Sequence, residues 1–295
     1  MNLNDIANSL AQALPGDNPE LTGVSIDSRK VQPGHLFVAI KGERFDGHDF
    51  IKGAVKNGAA AVLSSQELHL KVPHIQVQDT LNALTVVATQ YRKTLTCPVI
   101  ALTGSNGKTT VKEMIASILP RPSFATPGNL NNQIGVPLSV LQMKPEHRYA
   151  VLELGANHPG EIAQTVAVAA PMVALINNIA PAHVEGFGSI DGVARAKGEI
   201  YQGLSQDGIA VVNQDDEYHD FWNHLFNHKK VLRFSQNTPQ AIHALDVKLN
   251  DKGCPAFTLV TPQGKIAVQL KVAGLHNVHN ALAAAACTHA LDISL

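Results

Sequence analysis

The sequence predicts an α/β protein: a small N-terminal α/β domain, then a mostly parallel-sheet domain of the P-loop ATPase type with an antiparallel extension. Three observations carry this expectation. From Pro98 onward, continuous apolar runs alternate with helix-period segments, as in a parallel sheet covered on both faces. One such run, VIALTG (99–104), breaks into SNGKTT (105–110), a glycine-flanked loop that opens a helix, which is where phosphate groups bind. Before residue 83, shorter strand-like runs separated by Gly- and Asp-rich turns form a unit of their own. The expected domains are therefore 1–82 and 83–295.

A chain of 295 residues is long for one domain, and 45% apolar with 16% charged residues gives an ordinary soluble composition with material for a large core. A net charge of −1, with no basic run interleaved with aromatics, argues against a nucleic-acid partner. The start, MNLNDIANSLAQALPGDNPE, has neither a basic n-region nor a long apolar stretch, and no segment reaches the ~18 apolar residues that span a bilayer. No membrane association and a cytoplasmic location are expected. Cys97, Cys254 and Cys287 are odd in number and far apart, which fits reduced thiols rather than disulfides or zinc. The fourteen histidines are scattered, without pairs at metal-ligand spacing.

In chain order, LFVAI (36–40), AAAVL (59–63) and HIQV (74–77) read as strands, with a helix near 49–57. Asp79 caps a helix whose Leu81, Leu84, Val87 and Ala88 recur at helical spacing and which leads into the second domain. There the pairs are VIALTG with GKTTVKEMIASIL, YAVLELG with GEIAQTVAVAA, and VALINNI with DGVARAKGEIYQGL, followed by the strand GIAVVN. Ligands bind at the carboxyl ends of such strands, so Gly104, Glu153 and the 177–188 loop should gather at one place. After residue 230, VLRFS, AIHALDVKLN, FTLVT and GKIAVQLKV read as antiparallel and hairpin-like, and HNVHNALAAAACTHAL as a helix. LDISL then stops directly after that helix, as though the frame were cut inside a larger protein.

The loop residues Thr103, Gly104, Ser105, Asn106, Gly107, Lys108, Thr109 and Thr110 are the candidates for holding a nucleotide. Glycines let the backbone approach phosphate, Lys108 can bridge phosphate oxygens, and Thr109 can place its hydroxyl on Mg²⁺. The common P-loop has four residues between its first glycine and Gly-Lys-Ser/Thr, whereas Gly104 and Gly107 enclose only Ser105 and Asn106. An ordinary glycine turn before a helix is the bland alternative. Glu153 ends a buried-looking strand, where an unpaired carboxylate is costly and a bound cation or a salt bridge would offset the cost. His183, in a glycine-bounded loop, and Lys197, on a helix among small residues, would on their own read as a structural histidine and a solvated lysine. Asn277 can cap the last helix.

TGSNGKTT resembles the ATP loop of the Mur ligase family and of its relative folylpolyglutamate synthetase. YAVLELGAN, NNIAPAHVEGFGS, ARAKGEIY and GLHNVHNALAAAA match further family motifs at the expected places. The resemblance implies an ATP-dependent carboxylate–amine ligase that forms an acyl phosphate, which an amine attacks through a tetrahedral intermediate. It implies two Mg²⁺ ions held by Thr109, Glu153, His183 and a Lys197 carbamylated by CO₂, and it makes Lys108, Glu153, His183 and Lys197 catalytic. Asn277 and Asn280 would touch the adenine and ribose side of ATP. No Asn-Lys-x-Asp segment follows the loop, which disfavours a regulatory GTPase.

The stretch SIDSRKVQPGHLFVAIKGERFDGHDFI resembles the family's UDP-binding domain, with Ser28, Arg29, Lys41 and Gly42 as substrate contacts. Arginine suits a pyrophosphate, and an Asp27 turn with Arg29 in a surface ion pair is the alternative. TPGNLNNQIGVPLSVL (126–141) resembles the members that add D-alanyl-D-alanine to UDP-N-acetylmuramoyl-tripeptide in peptidoglycan precursor synthesis. Thr126, Asn129, Asn131 and Asn132 would then contact substrate, a polar Asn-turn loop being the alternative. Other amino-acid ligases of this fold, a folate glutamylator and a non-catalytic nucleotide-binding module remain alternative readings. The family's C-terminal ligase domain has no counterpart in these 295 residues, so this chain alone is expected to be weakly active or inactive, and monomeric.

Overall fold

The computed structural model describes residues 1–13, 16–42, 44–69, 71–181, 184–226 and 229–294, with the backbone only of residue 184. The chain forms two compact units, 1–95 with 137–143, and 96–136 with 144–295. The sequence divides the domains at 82/83; the helix over 80–93 groups with the first unit, so the contacts divide after Leu95.

The first unit runs α1 (Leu3–Ser9), β1 (Gly23–Ser25), β2 (His35–Val38), α2 (Ile51–Lys56), β3 (Ala61–Ser64), β4 (His74–Gln76) and α3 (Thr80–Lys93). Its four strands pair in chain order, all parallel. Phe37, Ile51, Ala54 and Val62 pack a small core between the sheet and α2. Asp79 caps α3 as its position predicts, accepting from the Leu81 and Asn82 amides at 2.8 and 3.0 Å. Two elements escape sequence pattern: β1 is only three residues long, and α1 starts at an Asn2 cap reciprocated by Asp5.

The second unit contains β5 (Val99–Thr103), α4 (Lys108–Ile118), β6 (Ser123–Ala125), α5 (Gly135–Gln142), β7 (Tyr149–Glu153), α6 (Glu161–Ala169), β8 (Val173–Ile176), α7 (Val184–Phe187), α8 (Ile190–Gln202) and β9 (Ile209–Asn213). It continues with β10 (Lys230–Ser235), β11 (Ile242–Leu249), β12 (Pro255–Thr261), β13 (Gly264–Gln269) and α9 (His276–His289). One nine-stranded sheet results, in the order β13-β12-β11-β10-β9-β8-β5-β7-β6. Most of α5 (137–142), with Met143 after it, clusters with the first unit rather than the second.

The antiparallel extension begins later than the sequence indicates. β10 runs parallel to β9, and β11 parallel to β10; only the pairs β11–β12 and β12–β13 are antiparallel. β10 and β11 pair only at Phe234–Ile242 and Ser235–His243, the end of one against the start of the next. This stagger lets a short link join parallel strands without a full crossover, which the hairpin-like spacing disguised. Val111 and Ile115 of α4, and Val278, Leu282 and Ala286 of α9, face one core with Ile100, Val151, Leu175 and Phe234. The alanine run Ala283–Ala286 lets α9 lie close to α4 and the sheet. Among the described residues no helix is long and apolar enough to cross a membrane.

Candidate nucleotide and metal site

β5, β7, β8 and β9 end at the same edge of the sheet, and the polar residues that follow them converge there. Gly107 adopts φ +76°, a left-handed conformation that favours glycine, and a Cβ there would lie 2.6 Å from Asn280 Oδ1 and 2.8 Å from Asn177 Nδ2. α4 starts at the next residue, so its first amides, which have no partner within the helix, face the loop. Lys108 folds back to donate to the Gly104 carbonyl at 2.8 Å and the Ser105 carbonyl at 3.4 Å. Burial lowers its pKa, while the Glu153 carboxylate pulls in the other direction.

The loop is braced from β8. Ser105 Oγ donates to the Ala180 carbonyl at 3.0 Å, and the Asn106 amide donates to Asn178 Oδ1 at 2.8 Å. Asn177 Nδ2 donates to the Asn106 carbonyl at 3.0 Å and to Asn280 Oδ1 at 3.1 Å; Asn280 Nδ2 donates to Asn277 Oδ1 at 2.9 Å, and Asn213 Nδ2 to the Asn177 carbonyl at 2.9 Å. Asn106, Asn177, Asn178, Asn213 and Asn280 border a cleft of about 340 Å³ beside the loop, lined further by Asp215, Asp216, His276 and His279. His279 lies 3.0 Å from Asp215, and burial lowers the histidine's pKa and raises that of Asp216. Thr103 is fully buried and its hydroxyl has no partner among the described residues, while Thr110 is half-buried in the first turn of α4.

On the other side of the loop, Glu153 is 2% exposed and both its oxygens are held by neutral donors. Thr109 Oγ1 donates to Oε2 at 2.9 Å and Asn131 Nδ2 to Oε1 at 2.8 Å. A buried carboxylate beside a hydroxyl, with no ion pair among the described residues, offers the hard oxygen donors of a Mg²⁺-type cation that keeps water and phosphate as its other ligands. Among the described residues no three His, Cys, Asp or Glu side chains cluster as a ready-made metal cage. His183 lies outside the described residues.

Lys197 on α8 is 2% exposed, and no hydrogen bond or ion pair to its amine is found among the described residues. Burial, then the positive charge of Lys108, lowers its pKa from 10.5 to about 8. Below pH 8 the folded and unfolded chains both carry the ammonium, so the fold bears the whole cost of burying it. As pH rises from about 8 to 10.5, the folded chain sheds the proton first and the cost disappears. In CO₂-free buffer, Lys197→Met should be more stable than the parent below pH 8 by on the order of 2 kcal/mol, with the gap shrinking toward pH 10.5. Urea unfolding across that range tests this, and a gap that does not change with pH would contradict it.

Three of the four candidates in the 126–132 loop do structural work. Thr126 Oγ1 accepts from the Glu153 amide at 2.9 Å, Asn131 holds Glu153, and Asn132 Oδ1 accepts from the Gly135 amide at 2.8 Å, where α5 begins. Asn129 is exposed. In the first unit, Ser28 and Arg29 line a pocket of about 460 Å³ with Ile40, Phe45 and Phe50. Arg29 forms a two-pronged ion pair with Asp27, both contacts at 2.9 Å, which lowers the Asp27 pKa to about 2. Lys41 and Gly42, which follow the lining residue Ile40 in the chain, are exposed and outside that lining, the Gly42 amide donating to the Phe45 carbonyl at 2.9 Å. The sequence placed the 177–188 loop here without singling out Asn177 or Asn178, and it missed Asn213, Asp215, Asp216 and His279. Their signal was positional, since Asn177 and Asn178 follow β8, Asn213 ends β9, and Asp215 and Asp216 come just after it.

Two family models match consecutive parts of the chain: the Mur ligase family catalytic domain over residues 20–103, and the Mur ligase middle domain over 102–288. UDP-N-acetylmuramoyl-tripeptide–D-alanyl-D-alanine ligase of Escherichia coli (strain K12) is 47% identical over 296 residues, covering 99% of this chain and 65% of that protein. The crystal structure of MurF from Acinetobacter baumannii superposes with a TM-score of 0.91 at 39% identity, over 99% of this chain and 65% of the other. MurF ligase from Thermotoga maritima, solved in complex with ADP, superposes with a TM-score of 0.80 at 29% identity, over 92% of this chain and 64% of the other. The chain thus spans about 65% of the length of these relatives. With a phosphate-type loop, a buried carboxylate beside it and two consecutive family models across residues 20–288, the chain belongs to the Mur ligase family.

Proposed function

We propose that this chain provides the nucleotide- and UDP-substrate-binding parts of a ligase that joins D-alanyl-D-alanine to UDP-N-acetylmuramoyl-tripeptide at the expense of ATP, in the cytoplasm. The observation that carries the reading is the Gly-Lys-Thr loop whose Thr109 is tied to the buried Glu153 at 2.9 Å. The likeness to relatives named for this reaction supports the choice of substrates. We assign residues 1–82 to the UDP-linked substrate and 83–295 to ATP.

A carboxylate is a poor electrophile, so the tripeptide carboxylate attacks the γ-phosphorus of ATP and ADP leaves. The amine of D-alanyl-D-alanine then adds to the acyl phosphate, and the tetrahedral intermediate expels phosphate to leave an amide. Lys108 exchanges its loop carbonyls for phosphate oxygens, and the α4 amides stabilise the charge that spreads over them. Asn277 and Asn280, backed by Asn177, hold the nucleoside in the cleft. Ser28 and Arg29, with Lys41 and Gly42, bind the pyrophosphate, Arg29 leaving Asp27 to do so.

Mg²⁺ held by Thr109 and Glu153 would neutralise charge on the transferring phosphoryl group. Lys197 is assigned as a carbamate: its neutral amine adds to CO₂, a proton leaves, and the cation becomes a carboxylate suited to a second ion. The lowered amine pKa supports this chemistry. His183 is assigned as a further metal ligand from its motif alone.

ADP release from ATP, Mg²⁺, UDP-N-acetylmuramoyl-tripeptide and D-alanyl-D-alanine, with bicarbonate present, tests the reading. Slow turnover is expected from these 295 residues taken alone, since they span about 65% of the length of the relatives named for this reaction. Turnover with single amino acids and not with D-alanyl-D-alanine would overturn the substrate assignment. Intact mass in bicarbonate should show an added CO₂ that Lys197→Met lacks.

A further inference from the structure

Lys112 lies one helical turn after Lys108 on α4 and is 1% exposed. A lysine so deep is costly unless its three N–H groups find acceptors. Here Nζ donates to the Thr126 carbonyl at 3.0 Å and the Gly128 carbonyl at 3.2 Å, and pairs with Glu113 Oε1 at 3.0 Å. Two of the three acceptors are loop carbonyls, so the side chain fastens the 126–131 loop to α4.

That helix and that loop are the two supports of Glu153. Thr109, on α4, donates to one carboxylate oxygen, and Asn131, at the far end of the loop, donates to the other. Thr126, whose carbonyl Lys112 holds, also accepts from the Glu153 amide through its hydroxyl. The Gly155 amide closes the arrangement by donating to the Asn131 carbonyl at 2.7 Å. An apolar side chain of the same length would fill the space without tying the two supports together.

We propose that Lys112 is a positioning residue of the metal site: it fixes the spacing between Thr109 and Asn131 and so aims the Glu153 carboxylate at a divalent cation. This rests on the assignment of Glu153 as a cation ligand. A group behind a metal ligand is worth roughly ten- to a hundredfold in metal affinity.

The test is calorimetry of ADP binding to the 295-residue chain with Mg²⁺ and with a chelator, together with Mn²⁺ binding read by electron paramagnetic resonance. Lys112→Met should reduce the metal-dependent gain in ADP affinity, and the Mn²⁺ affinity, about tenfold, with metal-free ADP binding changed less than about twofold. Glu153→Gln should abolish the gain; if the gain survives there, the assignment of Glu153 fails. If Glu153→Gln abolishes the gain and Lys112→Met leaves it intact, the role of Lys112 is overturned, as it is if metal-free and metal-dependent binding fall together. Should the methionine variant not fold, Lys112→Gln, which keeps an amide donor, is read by the same criteria.

Discussion

Replacement of Lys108 by methionine should weaken ATP binding about a hundredfold while leaving adenosine binding within about twofold. In the structure the ammonium makes only neutral contacts, to the Gly104 carbonyl at 2.8 Å and the Ser105 carbonyl at 3.4 Å. Phosphate oxygens are better acceptors, and two charge-assisted bonds at ~1.5 kcal/mol each give the ~3 kcal/mol behind the hundredfold loss. Lys108→Arg should not rescue binding, because a planar fork does not fit where a compact point charge bends back over its own loop. The same substitution to methionine should raise the Lys197 pKa, since the charge of Lys108 is one of the two causes holding it near 8. Titration calorimetry with ATP and with adenosine decides the matter. Equal losses for both ligands would mean that the loop itself had collapsed.

The largest stability effect should come from Tyr201→Ala. The ring is fully buried and meets Trp222 and Phe226 edge-on, with centroids 5.8 and 5.1 Å away. Its hydroxyl donates to the Val211 carbonyl at 2.8 Å and accepts from the Ile176 amide at 3.3 Å, tying α8 to β8 and β9. Truncation should cost about 4 kcal/mol and lower Tm by about 10 °C in a unit of this size. Tyr201→Phe keeps the ring contacts and loses the hydroxyl, so about 1 kcal/mol is expected. Denaturant unfolding checks both, and a cost below about 1 kcal/mol for the alanine variant would contradict the role given to the ring.

What was legible in the sequence follows from physical range. The strand, loop and helix over 99–118 and the cap at Asp79 depend on neighbours within a few residues, and the structure has them where the pattern put them. The direction of β10 and β11 depends on which partner each strand finds across the sheet, which local alternation does not encode. Glu153 was readable because a carboxylate closing an apolar run is conspicuous. Lys112 was not, since a lysine at the second turn of a helix usually faces water, and only the fold reveals that its amine ends among loop carbonyls. Asn131 read as a substrate contact, and only the fold shows that its amide also braces Glu153, at 2.8 Å.

The wall behind Gly107 has a consequence for how the site comes into being. Its backing atoms belong to Asn177 and Asn280, and the latter lies on α9, far along the chain from the loop. The loop that most resembles a self-contained motif is thus finished by residues synthesised long after it. During translation the Gly-Lys-Thr segment emerges early but has only the Asn177 part of its side wall until α9 docks, and contacts so distant in sequence form late. Nucleotide should therefore select for chains whose second unit has folded completely, acting as a reporter of finished assembly and, by mass action, as its stabiliser.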